Sequence, residues 1–182
     1  MVKYPSKNMK PHEIVILTIL IIAALYLLLV ITDLIFVFTF NSILKKHNKS
    51  LSVILNTKYD NLKKILLIFE KLNIKINENI LANFNKIKLS DLNKQYTASC
   101  KTARDTLSIL RNEVLFVASN NPVLEKHNEF LMAKENILEL DDVYRVNIAM
   151  YNADILGYNY WVRFLPCRYI FLLAKIKTKE LI

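Results

Sequence analysis

The stretch Ile14–Thr32, IVILTILIIAALYLLLVIT, runs for nineteen residues without a charge and is almost wholly Ile, Leu, Val and Ala. As a helix rising about 1.5 Å per residue it covers roughly 28 Å, the thickness of a bilayer's hydrocarbon core. Backbone amides in lipid must find partners within their own segment, so the stretch reads as a transmembrane helix. Its apolar core is far longer than the roughly 7 to 15 residues of a secretory signal. Ala23 and Ala24 lie mid-core, no small-residue cleavage site follows, and neither Cys100 nor Cys167 is placed to take a lipid. A retained anchor over residues 14–40 is expected, after a short flank at 1–13. Asp33 is the one charge between Ile14 and Phe40, near enough to the rim to reach the headgroups.

About 140 of the 182 residues follow the anchor, enough for one domain with a core of its own. One glycine and four prolines argue against β-rich and Rossmann-like folds, which need many turn-forming glycines, and exclude glycine-rich phosphate loops. Two cysteines, 67 residues apart, make neither a metal spacing nor a disulfide framework, and read as buried or half-buried thiols. The fold expected is all-α: the anchor, an antiparallel four-helix bundle over 41–166, and a basic, apolar tail at 167–182.

Charge sets the topology. The body after residue 40 carries 22 Lys and Arg against 14 Asp and Glu, with 13 basic and 4 acidic residues between Asn41 and Arg104. Lys45, Lys46, Lys49, Lys58, Lys63 and Lys64 follow the anchor, against Lys3, Lys7 and Lys10 before it. The positive-inside bias therefore favours a cytoplasmic body and an outer N-terminus.

Beyond Phe40 an amphipathic stripe continues through Leu44, Leu51, Leu55, Leu62, Leu66 and Phe69, with no Pro or Gly to stop it. An unbroken helix from Asn41 to Lys88 would be about 72 Å long, so a break is expected in the Asn-rich patch Asn73–Asn85. Helices are expected near 41–71, 74–88, 91–118 and 129–164. Ser90 is the expected N-cap of the third, whose stripe is Leu92, Tyr96, Ala103, Leu107, Leu110, Val114 and Val117. Asn120-Asn121-Pro122 should end it with a left-handed Asn. Asn128 should cap the last long helix, with a stripe of Leu131, Lys134 by its stem, Leu138, Ile148, Tyr151, Ile155, Tyr158 and Val162. Gly157 inside it marks close packing. The tail segment Tyr169–Ala174, between Arg168 and Lys175, is too short to span; it either lies in the membrane interface or closes the bundle as a last core helix.

Little here resembles catalytic chemistry. His12-Glu13 lacks the second His of a zincin motif, since position 16 is Ile16. His47 and His127 stand alone beside lysines and read as solvated surface. Asp141-Asp142 has no His, Cys or acid at a metal spacing nearby, and Glu135, Glu139 and Asp142 read as a solvated face. The most unusual pattern is Tyr151-Asn152 repeated as Tyr158-Asn159, two pairs on one helix face, where seam asparagines would fix register. Tyr160, Trp161, Arg163 and Phe164 beside them could stack on bases, but a packed seam is the preferred reading.

These residues resemble the LemA family of bacterial membrane proteins. The aromatic-Asn pair after the anchor is similar to Phe40-Asn41, and Leu55-Asn-Thr-Lys-Tyr59-Asp60 resembles the segment that follows it. Ala103-Arg104, Pro122-Val-Leu124 with Phe130, and the closing Tyr151-Asn152, Tyr158-Asn159, Arg163 and Pro166 complete the likeness. The chain departs from it at Thr57-Lys58, Lys63, Asp141-Asp142 and Ile148-Ala149. The resemblance implies one transmembrane helix, a four-helix bundle, no catalytic residues and no cofactor, and an envelope role beside other membrane proteins such as zinc metalloproteases.

The function expected is a membrane-anchored interaction or scaffold protein, not an enzyme, with lipid and another envelope protein as partners and a homo-oligomer left open. Lipid binding or membrane shaping through the basic face and tail is the alternative, with Arg168, Tyr169, Phe171, Lys175 and Lys177 as candidate interface positions. Nucleic acid is the least expected partner.

Overall fold

The computed structural model describes residues 10–93 and 97–182, without the side chains of residues 165 and 166. Lys3, Lys7, Tyr96 and the side chain of Pro166, all used above, lie outside it. The described elements are α1 (Pro11–Lys71), α2 (Glu78–Asn85), α3 (Ala98–Ser119), α4 (Asn128–Arg163) and α5 (Leu165–Leu173). Short 3-10 turns lie at Asp91–Asn93 and Leu124–Lys126, and no strand occurs among the described residues. The all-α fold with an apolar N-terminal helix is as expected.

α1 is one uninterrupted helix of 61 residues. None of its most apolar window is buried, and it is long and apolar enough to cross a membrane. Burial begins at Asp33 and Val37, inside the expected anchor, and then recurs every seventh residue at Leu44, Leu51, Lys58 and Ile65, with Leu55, Leu62 and Phe69 beside them. The helix ends where Asn73 turns left-handed, at φ 55°. Ile74 N–H then donates to Phe69 O at 2.8 Å and Asn73 N–H to Glu70 O at 3.1 Å, which satisfies the orphaned carbonyls of the last turn. The break thus falls at the first residue of the Asn-rich patch. The next helix shrinks from the expected 74–88 to eight residues, with the Asn77 side chain accepting from Asn79 N–H at 3.0 Å.

Three caps differ from expectation. Ser90 and Asp91 shape a 3-10 turn, and α3 starts later, where the Thr97 hydroxyl accepts from Cys100 N–H at 3.3 Å. Its C-cap residue Asn120 is not left-handed, with φ −100°. Instead the Asn120 and Asn121 amides donate back to Phe116 O and Val117 O at 2.9 and 2.7 Å, serving the same orphan acceptors. α4 is capped by His127, whose Nδ1 accepts from Phe130 N–H at 3.3 Å, so that histidine is structural rather than idle surface.

The long helices interlock in a fixed register. Phe36 meets Trp161, Ser50 meets Asn147, and Phe69 meets Phe130, so α1 and α4 run antiparallel. Arg111 pairs with Asp141 and Arg104 sits beside Tyr144, so α3 runs against α4 and alongside α1. α2 lies on α3, with Phe84 stacked on Tyr59 at 4.7 Å. α5 folds back over the end of the body nearest the apolar half of α1. The buried face of α4 is Phe130, Ile137, Tyr144, Tyr151 and Tyr158, a strict heptad line, with Ala133, Ile155 and Val162. Leu131 and Leu138, expected in its core, are exposed, and Lys134 is half-buried.

Candidate functional site

The repeated Tyr-Asn pairs of α4 meet the chain's own tail. At the end of α5, Lys175 takes a left-handed conformation with φ 57°. Ile176 N–H donates to Phe171 O at 2.9 Å and Lys175 N–H to Leu172 O at 3.1 Å, so the chain reverses. It then runs extended down α4. Asn159 donates through Nδ2 to Lys179 O and accepts at Oδ1 from Lys179 N–H, both at 2.8 Å. Asn152 does the same to Ile182, both at 3.0 Å. The Tyr158 hydroxyl donates to Lys177 O at 3.2 Å.

The match follows from two periods. Seven residues of helix rise about 10.5 Å, and three residues of extended chain rise about 10 Å. Two carboxamides one heptad apart therefore meet every third peptide unit of a strand laid alongside. The asparagines read main chain, rather than fixing helix register as expected. Side chains of the tail are read as well: Lys179 Nζ donates to Asn41 Oδ1 at 2.6 Å and lies 4.7 Å from the centroid of the Tyr158 ring, and Ile176 and Ile182 pack half-buried against the core. Burial, and then Lys45, pushes the Lys179 ammonium below its usual pKa, while burial pushes the Tyr158 phenol up. An open groove of about 630 Å³ separates the tail from Thr97, Lys101 and Arg104 at the start of α3.

The tail is held at few points. Five side-chain to main-chain hydrogen bonds contribute about 0.5–1.5 kcal/mol each, the Lys179 side chain meets Asn41 and Tyr158, and Ile176 and Ile182 pack half-buried against the core. Lys177, Thr178, Glu180 and Leu181 remain exposed.

Two polar sites lie deeper. Lys58, only 5% exposed, donates to Asp141 Oδ1, and Arg111 Nε stands 2.8 Å from Asp141 Oδ2. One carboxylate of α4 thereby joins cations from α1 and α3. The sequence reading found no partner for Asp141, since its partners are far off in the chain; Asp142 is exposed and pairs with Arg145. His47, expected as solvated surface, has Nε2 3.2 Å from Asp154 Oδ2. Asp33 does not face outward toward headgroups: it is 1% exposed, and the Cys167 thiol is its polar neighbour. Burial first, and then Asp33, pushes that thiol up to about 11.

The remaining motif positions divide between the core and the surface. Ala103 and Tyr151 are buried, and Phe130 packs 5.8 Å from Phe69. Asp60, Pro122 and Arg163 are exposed, and Arg104 lies beside the Tyr144 phenol. Of the candidate interface positions, Phe171 is buried at 1% exposure, whereas Tyr169 is 73% exposed and Arg168, Lys175 and Lys177 are exposed. Trp161 spends its face on Phe36, stacked at 4.4 Å and 3°, and is not open to a base.

Comparisons with protein families, with curated proteins and with solved structures find nothing that matches this chain.

Proposed function

We propose that the chain is a single-pass membrane protein whose helical body is an interaction module, a scaffold or adaptor for another envelope protein, with no catalytic role. The observation that carries this reading is the continuity of α1, bare over its apolar half and packed into the body from Asp33 onward. Such a helix ties the body's position to the bilayer. The likeness of Phe40-Asn41, Ala103-Arg104 and the two Tyr-Asn pairs to the LemA family supports a bacterial origin and a place beside other membrane proteins, a zinc metalloprotease among them. The lysines after the anchor favour a cytoplasmic body.

Co-purification from detergent tests the reading, comparing the intact chain with a version lacking residues 1–32, a cut that leaves the packed Asp33 and Val37 in place. A specific partner retained by the body supports it; no specific partner in either sample overturns it.

A second reading, contact with lipid, has its own support in α5. Tyr169, Leu172 and Leu173 are 73%, 61% and 85% exposed at the end of the body from which the apolar half of α1 emerges, beside exposed Arg168. Rings and aliphatic chains at that height suit the headgroup boundary. Flotation of the body with vesicles, with and without anionic lipid, tests it; no lipid dependence rejects it.

A further inference from the structure

From the paired carboxamides of Asn152 and Asn159 we infer that this face of α4 is a binding site for an extended, lysine-bearing peptide, occupied in the resting protein by the chain's own residues 177–182. This deepens the interaction-module reading and rests on it, for it says what part of a partner the module would hold.

Each asparagine satisfies both the N–H and the C=O of one residue, an arrangement that any residue except proline can supply. Selectivity enters at two positions, Lys179 and Ile182, the latter half-buried and packed against the core. Asn41 and the Tyr158 ring together accept the Lys179 ammonium, and neither carries a charge to hold another cation in its place. Thr178, Glu180 and Leu181 point into solvent and go unread. The site therefore selects an extended backbone, free of proline at two positions three apart, with lysine at the first of them and an apolar residue at the second.

The occupant is exchangeable by construction. It enters through a left-handed lysine at 175, where glycine is the relaxed choice, and leaves most of its side chains in water. A tethered segment competes at an effective concentration in the millimolar range, so the tail masks the site from weak ligands and yields to tighter ones. Strand-like partner segments seated by main-chain hydrogen bonds, with pockets for alternate residues, are a general mode of peptide recognition.

The test uses the full-length chain in detergent with Lys179→Pro, which removes both the ammonium and the N–H that Asn159 accepts. The probe is a fluorescent synthetic peptide of residues 176–182, followed by anisotropy. The K179P chain should bind it saturably and at least about tenfold more tightly than wild type, in which the tail competes. Adding Asn152→Leu and Asn159→Leu to K179P should weaken binding at least about tenfold, as should alanine at the lysine position of the peptide. Equal binding by all variants, or none by a K179P chain of unchanged helical circular dichroism, overturns the inference. Amide exchange on wild type provides a second measurement: peptide at several times the tail's millimolar effective concentration should deprotect Lys179 and Ile182, and unchanged protection there also overturns it. If the peptide fails while co-purification still yields a partner, the groove is wrong and the module stands; if the peptide binds and no partner is found, the reverse holds.

Discussion

Gly157 of α4 approaches Phe40 of α1 so closely that a β-carbon on it would lie 2.8 Å from the ring's Cε1. The chain's single glycine is thus used where two helices need to touch, and the aromatic it touches is the first of the residues that resemble a family landmark.

Gly157→Ala should therefore destabilise the body even though alanine gains about 1 kcal/mol of helix propensity. Overpacking costs about 1–3 kcal/mol, so a net loss of up to about 2 kcal/mol is expected in urea melts followed by circular dichroism. Phe40→Leu combined with Gly157→Ala should recover most of it. A simple gain of stability in the single variant would show that the Phe40 ring swings aside and rule out overpacking here.

Asp141 holds the buried Lys58 ammonium and the half-buried Arg111 guanidinium. Asp141→Ala should cost about 3–5 kcal/mol, the loss typical when one member of a buried pair leaves its partners uncompensated. Replacing the set together, Lys58→Met, Arg111→Leu and Asp141→Leu, should come out near neutral or stabilising. A mild effect of Asp141→Ala in the same melts would mean that the ion knot is solvated.

Both thiols should be slow. Cys167 is fully buried with its pKa pushed up to about 11, and burial also raises Cys100. At pH 8 a thiol of that acidity is about 0.1% thiolate. Ellman's reagent should label neither cysteine in the native protein at pH 8 and both after denaturation. Rapid native labelling at Cys167 would show that α5 does not dock on Asp33.

Docking of the tail should respond to pH through Lys179. Its lowered pKa means that the docked state disfavours the charged ammonium relative to a free tail. That penalty is present in full at neutral pH and is relieved as pH climbs from the lowered value toward 10.5. Tail protection factors, corrected against the isolated peptide, should accordingly rise as the pH climbs toward 10.5. The raised Tyr158 phenol keeps its proton across that range and opposes docking only above it. Lys45→Gln should tighten docking at neutral pH by removing the neighbouring charge. Protection that falls over that climb would reject this account.

Much of the architecture was legible because burial here is periodic. The stripe of α1 from Leu44 to Phe69 and that of α3 from Ala103 to Val114 are buried as their spacing requires. The first half of α4 was misread because Leu131 and Leu138 outrank Ala133 and Tyr144 in apolarity, yet the heptad line through Phe130, Ile137 and Tyr144 is the one that faces α1 and α3. Caps were misplaced by a few residues where several Ser, Thr, Asn or His compete. The Lys58–Asp141 and Arg111–Asp141 pairs join residues far apart in sequence, which local patterning does not report. The basic, apolar tail reads locally as a membrane-interface segment or a last core helix, and only the heptad of Asn152 and Asn159 set against a three-residue strand period signals that residues 177–182 run along α4.

If Ile14–Thr32 sits in lipid as proposed, the unbroken course of α1 to Lys71 acts as a mast. Its tip stands about 58 Å beyond the point of exit, and no hinge intervenes to let the body lie down. Any tilt or rotation imposed on the embedded half swings the distal turn at Asn73 through a proportionate arc, so lateral pressure or a neighbour in the bilayer would be felt at a height that lipid headgroups never reach.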